Sequence, residues 1–173
     1  CVVKEVLDKE IVKTFLSDNH LLGTCSYTRA IGLYFREELL GIAVLGGHHR
    51  QGMSDTSVLK RFAFRSGTQV VGGASKLTSH LFDYVDTPRI LTWAEIRLGA
   101  GDLYTKAGWK LDGKLPPDYF YWNDRVQRVM SKQSQKDKHR GSGLTETKFA
   151  KMRGLHKVYD CGKLRFVLNR VNP

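Results

Sequence analysis

Polar and apolar residues alternate through CVVKEV at the start of the chain, which predicts a short strand. Asp8 stands where a helix N-cap is wanted, and Ile11, Val12, Phe15 and Leu16 share one helical face, predicting a helix to about Asn19. NHLLGTCSY reads as a loop. TRAIGLYF and LLGIAVLGG are apolar runs joined by the tight polar turn REE, a predicted hairpin, and SVLKRFAF beyond the loop HHRQGMSD supplies a third strand. After a pair of glycines, Leu77, Leu81 and Tyr84 recur at i, i+4, i+7 and predict a helix of about three turns. RILTWAEI follows Pro88 as a strand, GDLYTKAGW is a short helix ended by Gly108, and DYFYW is a strand beyond Pro116 and Pro117.

The pattern changes at Arg125. RVQRVMSKQSQKDKHRGSG has little apolar content and predicts a surface helix or an arm. LTETKFAKMRG predicts a helix capped by Thr145 and stopped by Gly154, and LHKVYDCGKLRFVL a closing hairpin turning at Cys161, Gly162 and Lys163. There are no internal repeats.

Charge sharpens this division. The chain of 173 residues carries a net charge of +11. Residues 1–124 hold 15 Lys+Arg against 14 Asp+Glu, a net +1, and residues 125–173 hold 13 against 3, a net +10. So lopsided a block points to nucleic acid, with DNA as the expected partner, or else to a solubilising face. Arg125, Arg128, Lys132, Lys136, Lys138 and Arg140 are the candidate phosphate contacts. Tyr119, Tyr121 and Trp122 just upstream offer rings for bases, although strand alternation assigns one set of them to a core. The expected organisation is a domain over 1–124 and a basic extension over 125–173 packed on it.

With 41% hydrophobic residues the chain can bury a core. No apolar run approaches the roughly 20 residues that span a bilayer, and no leader opens the sequence. An opening Cys1 in place of Met suggests a piece of a longer protein. Three scattered cysteines form no disulfide framework and no zinc spacing with the six histidines, so a reducing, cytoplasmic compartment is expected. His48 and His49 are a bare pair without a third ligand, and no metal is expected.

The stretch QVVGGASKL carries the sharpest candidate chemistry. Adjacent glycines between a strand and a helix let backbone N–H groups reach an anion at the helix N-terminus, which suits a phosphate or pyrophosphate. Gln69, Gly72, Gly73, Ala74, Ser75 and Lys76 form this turn; the other reading is a tight strand-to-helix connection. Glu95 ends a strand as a candidate proton acceptor, or as the partner of Arg97 in a surface pair. Arg61, within an apolar strand, should face a cleft or a carboxylate, because a buried unpaired guanidinium is costly.

Element order and two motifs resemble the GNAT acyltransferases. Gln69, Gly72 and Ala74 match their Q/R-x-x-G-x-G/A turn, and GDLYTKAGW resembles their Y-x-x-x-G-F helix, with Tyr104 and Gly108 in place and Trp109 replacing Phe. The resemblance covers roughly residues 1–124. It implies an α/β (α+β) fold with a mixed, twisted sheet flanked by helices, and a site for acetyl-CoA or another acyl-CoA. By the same resemblance Tyr104 would protonate the coenzyme A thiolate, and Asn19 and His20 would border the acceptor cleft, where His20 or Glu95 takes a proton from the acceptor amine. More narrowly, FLSDNHLLG, PPDYFYW and YDCGKLRF are similar to bacteriophage proteins: Mom-type DNA-modification proteins, and modules that follow a very-short-patch-repair-like nuclease domain in homing endonucleases. This implies a phage-encoded DNA-modifying transferase, or a non-catalytic DNA-binding module fused to a nuclease. A transferase for small molecules or proteins is the third class.

Overall fold

In the computed structural model the chain is described at residues 1–48, 52–130, 132, 135 and 141–170. It opens with β1 (Val2–Glu5) and α1 (Lys9–Asn19), whose N-cap is Asp8: the carboxylate accepts the N–H of Glu10 at 2.8 Å. A meander of β2 (Arg29–Phe35), β3 (Glu38–Gly47) and β4 (Thr56–Phe64) follows. Then come α2 (Gly73–Ser79), β5 (Arg89–Glu95), α3 (Asp102–Lys106) and β6 (Lys110–Leu115). The rest comprises β7 (Tyr119–Asn123), β8 (Arg128–Met130), α4 (Glu146–Met152), β9 (Leu155–Tyr159) and β10 (Lys163–Asn169).

The main sheet has the order β1-β2-β3-β4-β5-β10-β6. It is mixed: β4 and β5 run parallel, and every other neighbouring pair runs antiparallel. Alternation along the strands splits their side chains between two layers. Ala30, Ile42, Val44 and Ala63 turn to one face, where α1 covers them with Val12, Phe15 and Leu16. Ile31, Leu33, Ala43, Leu45, Ile90 and Phe166 turn to the other, under Leu77, Leu81 and Trp109. The expected three-turn helix is shorter. After Ser79 the chain tightens into i→i+3 bonds, His80 N–H to Leu77 at 3.2 Å and Tyr84 N–H to Leu81 at 3.3 Å, so only Leu77 and Leu81 of the predicted face are fully buried.

The expected closing hairpin does not form. β9 pairs with β7 in a small sheet of order β8-β7-β9, while β10 enters the main sheet between β5 and β6. Residues 116–162 are thus an insertion between two adjacent strands. The register shows how it is mounted. Leu115 lies opposite Lys163, Asp118 exchanges hydrogen bonds with Asp160, and Tyr119 lies opposite Tyr159, so one antiparallel ribbon runs from the main sheet into the small one. Pro116 and Pro117, which have no N–H, interrupt its ladder. The Asp160 carboxylate bridges the break by accepting the N–H groups of Asp118 at 2.8 Å and Gly162 at 2.9 Å. The expected boundary at residue 124 falls inside the small sheet, whose centre strand β7 precedes it.

The expected surface helix or arm after Arg125 begins instead as a turn and β8. α4 forms as predicted, capped by Thr145, whose hydroxyl accepts the N–H of Lys148 at 3.4 Å. It is sewn to the small sheet by Glu146, which accepts the hydroxyls of both Tyr119 and Tyr121 at 2.5 Å. Burial, then this carboxylate, pushes the Tyr119 phenol up to about 12. Tyr121 is fully buried against Ala150 and Leu155.

Gly162 sits where the ribbon bends, at φ +83°, and a Cβ there would lie 2.5 Å from the Leu115 carbonyl oxygen. Gly162→Ala should therefore destabilise the protein by about 2 kcal/mol or more. Urea unfolding measures this, and a loss below about half a kcal/mol would show the bend to be pliant.

Candidate active site

β4 and β5 hold each other through three residue pairs, Thr56 with Arg89, Ser57 with Ile90 and Val58 with Leu91, and then part. β4 carries a bulge where they separate: Leu45 faces Leu59 but Val44 faces Arg61, leaving Lys60 as the extra residue. A bulge adds local twist and bend. The Thr92 hydroxyl closes the apex of the resulting gap by donating to the Leu59 carbonyl at 3.1 Å. Beyond it, the backbone groups that β4 turns toward β5 have no ladder partner among the described residues, which makes this inner edge receptive to an extended chain bearing amides.

The glycine turn lies past the end of β4. Gly73 is buried, and a Cβ there would meet Phe64 and Val70 at 2.9 Å, so packing demands glycine. Gly72 has φ +72° and nothing within 4 Å of where a Cβ would be, so conformation demands it while its outer side stays open. The Gly73 N–H donates to Val70 at 3.0 Å and the Lys76 N–H to Gly72 at 2.9 Å. Helix geometry leaves the N–H groups of Ala74 and Ser75 without an i−4 acceptor. Gln69, Ser75 and Lys76 are exposed around them, and Ala74 packs on the core.

Tyr104, on α3, is half-buried. Its ring stacks on Phe166 at 5.2 Å and meets Trp109 edge-on at 5.8 Å. Its hydroxyl lies close to Thr92, the residue at the apex of the strand gap, and burial raises its pKa, so it is protonated at ordinary pH.

Across the sheet, the end of α1 is tied to β4. Asn19 uses both ends of its amide: Nδ2 donates to Phe15 O at 2.8 Å, and Oδ1 accepts the Ser66 N–H at 2.7 Å. Among the described residues Arg61 reaches no carboxylate. It donates to the carbonyls of Gly23 at 3.0 Å and Lys60 at 2.7 Å, pinning the loop after α1. His20 accepts the Leu22 N–H at Nδ1, at 3.0 Å. The lone pair at Nδ1 is thereby occupied, and the neutral ring presents Nε2–H as a donor. Burial, then the charge of Arg61, lowers its pKa.

Glu95 forms the expected pair with Arg97, at 2.6 Å. Trp93, two residues earlier on the same face of β5, was not singled out in the sequence, although strand alternation links it to Glu95. It lies opposite Arg165, whose Nε holds Asp112 at 2.6 Å, and its ring approaches that of His48 at 6.0 Å. Trp93, Glu95 and Arg165 occupy the face that α1 covers only over the β2–β4 half of the sheet.

Of the candidate phosphate contacts, Arg125 is exposed at the turn after β7, Arg128 belongs to β8, and Lys132 is bound to Asp118 at 2.5 Å. Lys136, Lys138 and Arg140 lie outside the described residues, as does His49. Among the described residues no cluster of His, Cys, Asp and Glu could hold a metal, and no helix is long and apolar enough to cross a membrane.

This architecture is similar to that of the ribosomal-protein-S18-alanine N-acetyltransferase from Escherichia coli, with TM-score 0.55, 10% identity, and 99% of this chain and 95% of that one covered. It is similar to an acetyltransferase of the GNAT family from Streptococcus pneumoniae, with TM-score 0.55, 11% identity, and 98% and 99% covered. A Streptococcus mutans UA159 protein aligns with TM-score 0.58 at 12% identity over 98% and 99%. No family model matches the chain, and no curated protein does. At these identities the likeness is one of fold, and the fold is that of the GNAT acetyltransferases. It lends nothing to the narrower phage resemblance.

His20 gives this region a pH signature. A lowered folded-state pKa means that its contribution to stability is present above about pH 6.5 and lost as pH falls through the folded value. Asp55 and Asp118, also lowered, act only below about pH 4. Between pH 6.5 and 5 the melting temperature should fall, and His20→Gln should flatten that fall. Parallel curves for the two proteins would show that His20 is not buried against Arg61.

Proposed function

We propose that the chain is an acyl-CoA-dependent N-acyltransferase domain, with DNA as the expected carrier of its acceptor. The observation that carries the transferase half is the convergence on one strand gap of three features: the unpaired inner edge of β4, the open Gly72 turn, and the Tyr104 hydroxyl at the Thr92 apex. The N–H groups of Ala74 and Ser75, with Lys76 nearby, fit a pyrophosphate, and the inner edge of β4 fits the amides of a pantetheine arm. Bound acyl-CoA would supply the acyl thioester.

The residues of this chain then have separable tasks. An acceptor amine forms the new C–N bond as the C–S bond breaks. Tyr104 gives its proton to the departing sulfur and is reprotonated through solvent when Glu95 releases the proton it takes from the acceptor amine. The phenol carries its proton at ordinary pH and can therefore act as the acid. Glu95, an acceptor in its carboxylate form, receives the proton of the acceptor amine, while His20 with Nδ1 occupied is better placed to orient the acceptor through Nε2–H. Arg61 and Asn19 hold the loop that carries His20. Trp93 and Arg165 line the side from which the acceptor would approach.

The DNA half of the proposal rests on the charge of residues 125–173 and on the resemblance to Mom-type proteins. A second reading keeps the scaffold but not the chemistry: a DNA-binding module of a phage homing endonuclease. The packing of Tyr104 between Phe166 and Trp109, which is that of a core residue, favours it.

Coenzyme A titration by calorimetry decides between them. The protein should bind, and Gly72→Val, which forces a β-branched residue to positive φ, should lose binding while keeping its circular dichroism. Absence of binding by the unmodified protein ends the transferase reading. Tyr104→Phe should bind coenzyme A normally but transfer acyl groups about a hundredfold more slowly. Equal turnover would return Tyr104 to the core alone.

A further inference from the structure

The fold sorts the described cations of the insertion by whether a carboxylate holds them. Near the main sheet they are held: Lys132 by Asp118 at 2.5 Å, and Lys157 by Glu146 and Lys163 by Asp160, both at 3.8 Å. At the far end of the insertion Arg125, Lys148 and Lys151 are exposed, and none has a carboxylate partner among the described residues. Asp124, the acid at this end, is paired with His156 at 2.5 Å. The three free cations form a row. Lys148 and Lys151 stand three apart on α4, so their Cβ atoms lie about 5–6 Å apart on one flank. The next residue at that spacing is Gly154, which stops the helix at φ +65° with its N–H on the Lys151 carbonyl at 3.1 Å. Gly154 has no side chain, and Arg125 takes the place: a Cβ there would lie 3.5 Å from Arg125 Nε. The root of Arg125 is fixed, because Asn123 Oδ1 accepts the N–H groups of Arg125 at 2.9 Å and Val126 at 3.3 Å, and the Asp124 N–H donates to Gly154 O at 3.3 Å.

We infer that the row Lys148, Lys151, Arg125 is a track for the phosphate backbone of double-stranded nucleic acid. The inference rests on the nucleic-acid part of the proposed function and assigns it a surface. Three cations without counter-charges select a polyanion. Two other polyanionic partners fit less well. A helix lying on a bilayer buries its apolar face in lipid, whereas α4 turns Ala150 and Glu146 into the small sheet and presents Thr147, Lys148 and Lys151 outward. The exposed apolar side chains near the row, Met152 and Val126, are too few to anchor it in lipid. Single strands are gripped by rings on which bases stack, and the row itself contains none; Phe149 lies under the Arg153 guanidinium at 5.5 Å. A duplex needs no ring, since its phosphates stand in regular files on the outside, and contacts to them hold the backbone without reading sequence. The fold thus redraws the expected contact surface. Of the stretch from Arg125 to Arg140 it keeps Arg125 and gives Lys132 to Asp118, and it brings in Lys148 and Lys151 from α4.

The test is a salt titration of the full chain on a labelled DNA duplex of arbitrary sequence, read by fluorescence anisotropy. Log affinity falls with log salt in proportion to the phosphates neutralised, so Lys148→Gln with Lys151→Gln should make the slope shallower by about 1.8. Both side chains are exposed and unpaired, so the variant keeps its fold, which its circular dichroism checks. Lys9→Gln with Lys13→Gln on α1 removes the same charge elsewhere and should leave the slope unchanged. Equal slopes for the two double variants overturn the row but spare the nucleic-acid reading, because duplex binding itself persists. No duplex binding by the unmodified chain removes both. Binding to phosphatidylserine vesicles in place of the duplex, lost in the α4 variant, overturns the inference in favour of a membrane. Coenzyme A titration of the same proteins keeps the transferase reading apart, since none of these substitutions touches the Gly72 turn.

Discussion

The parting of β4 from β5 is the constraint on which the rest of this protein turns. Parallel strands need a crossover, and the crossover here supplies the Gly72 turn and α2. Three residue pairs suffice to hold the strands together, because Ile90 and Leu91 are already buried there and Thr92 bonds back to Leu59. Past that point the bulge at Lys60 bends β4 away. Among the described residues the backbone groups left open there have no ladder partner, and Tyr104 lies close to the residue that marks their start. Architecture and candidate chemistry are therefore one feature.

The insertion follows from the other half of the sheet. β10 must pass between β5 and β6, so whatever lies between β6 and β10 in sequence has to leave and return as a ribbon. Two prolines end the first ladder, Asp160 bridges the break, and the same register resumes in the small sheet. The small sheet thereby acquires one face for α4 and a second, unlike one. A basic segment that looks like an appendage in sequence is thus anchored at both ends to the sheet that bears the candidate site.

Much of the site was legible in the chain because its signals are local. A glycine at positive φ before a short helix, the Tyr104-to-Gly108 spacing and the Asp8 and Thr145 caps each depend on residues within a turn or two. His20, Arg61 and Asn19 were legible as residues but not as roles. Their hydrogen bonds go to Leu22, Gly23 and Ser66, backbone groups whose approach depends on how the loop after α1 lies against β4. Trp93 and Arg165 escaped notice because 72 residues of sequence separate two side chains that the sheet places side by side.

The sequence by itself determined the α/β class, the helices, the strands other than β6 and β8, and the glycine turn, since each is encoded by periodicity and by residues with restricted or permissive backbones. Only the tertiary structure decided partnership: that β9 turns to β7 and not to β10, that Tyr121 is buried while Trp122 is not, and that a three-turn helical pattern stops at Ser79. The reason is physical. Alternation says that a strand has two faces, but which face meets a helix, and which strand lies alongside, is fixed by contacts between segments far apart in the chain, whose energies no local pattern records.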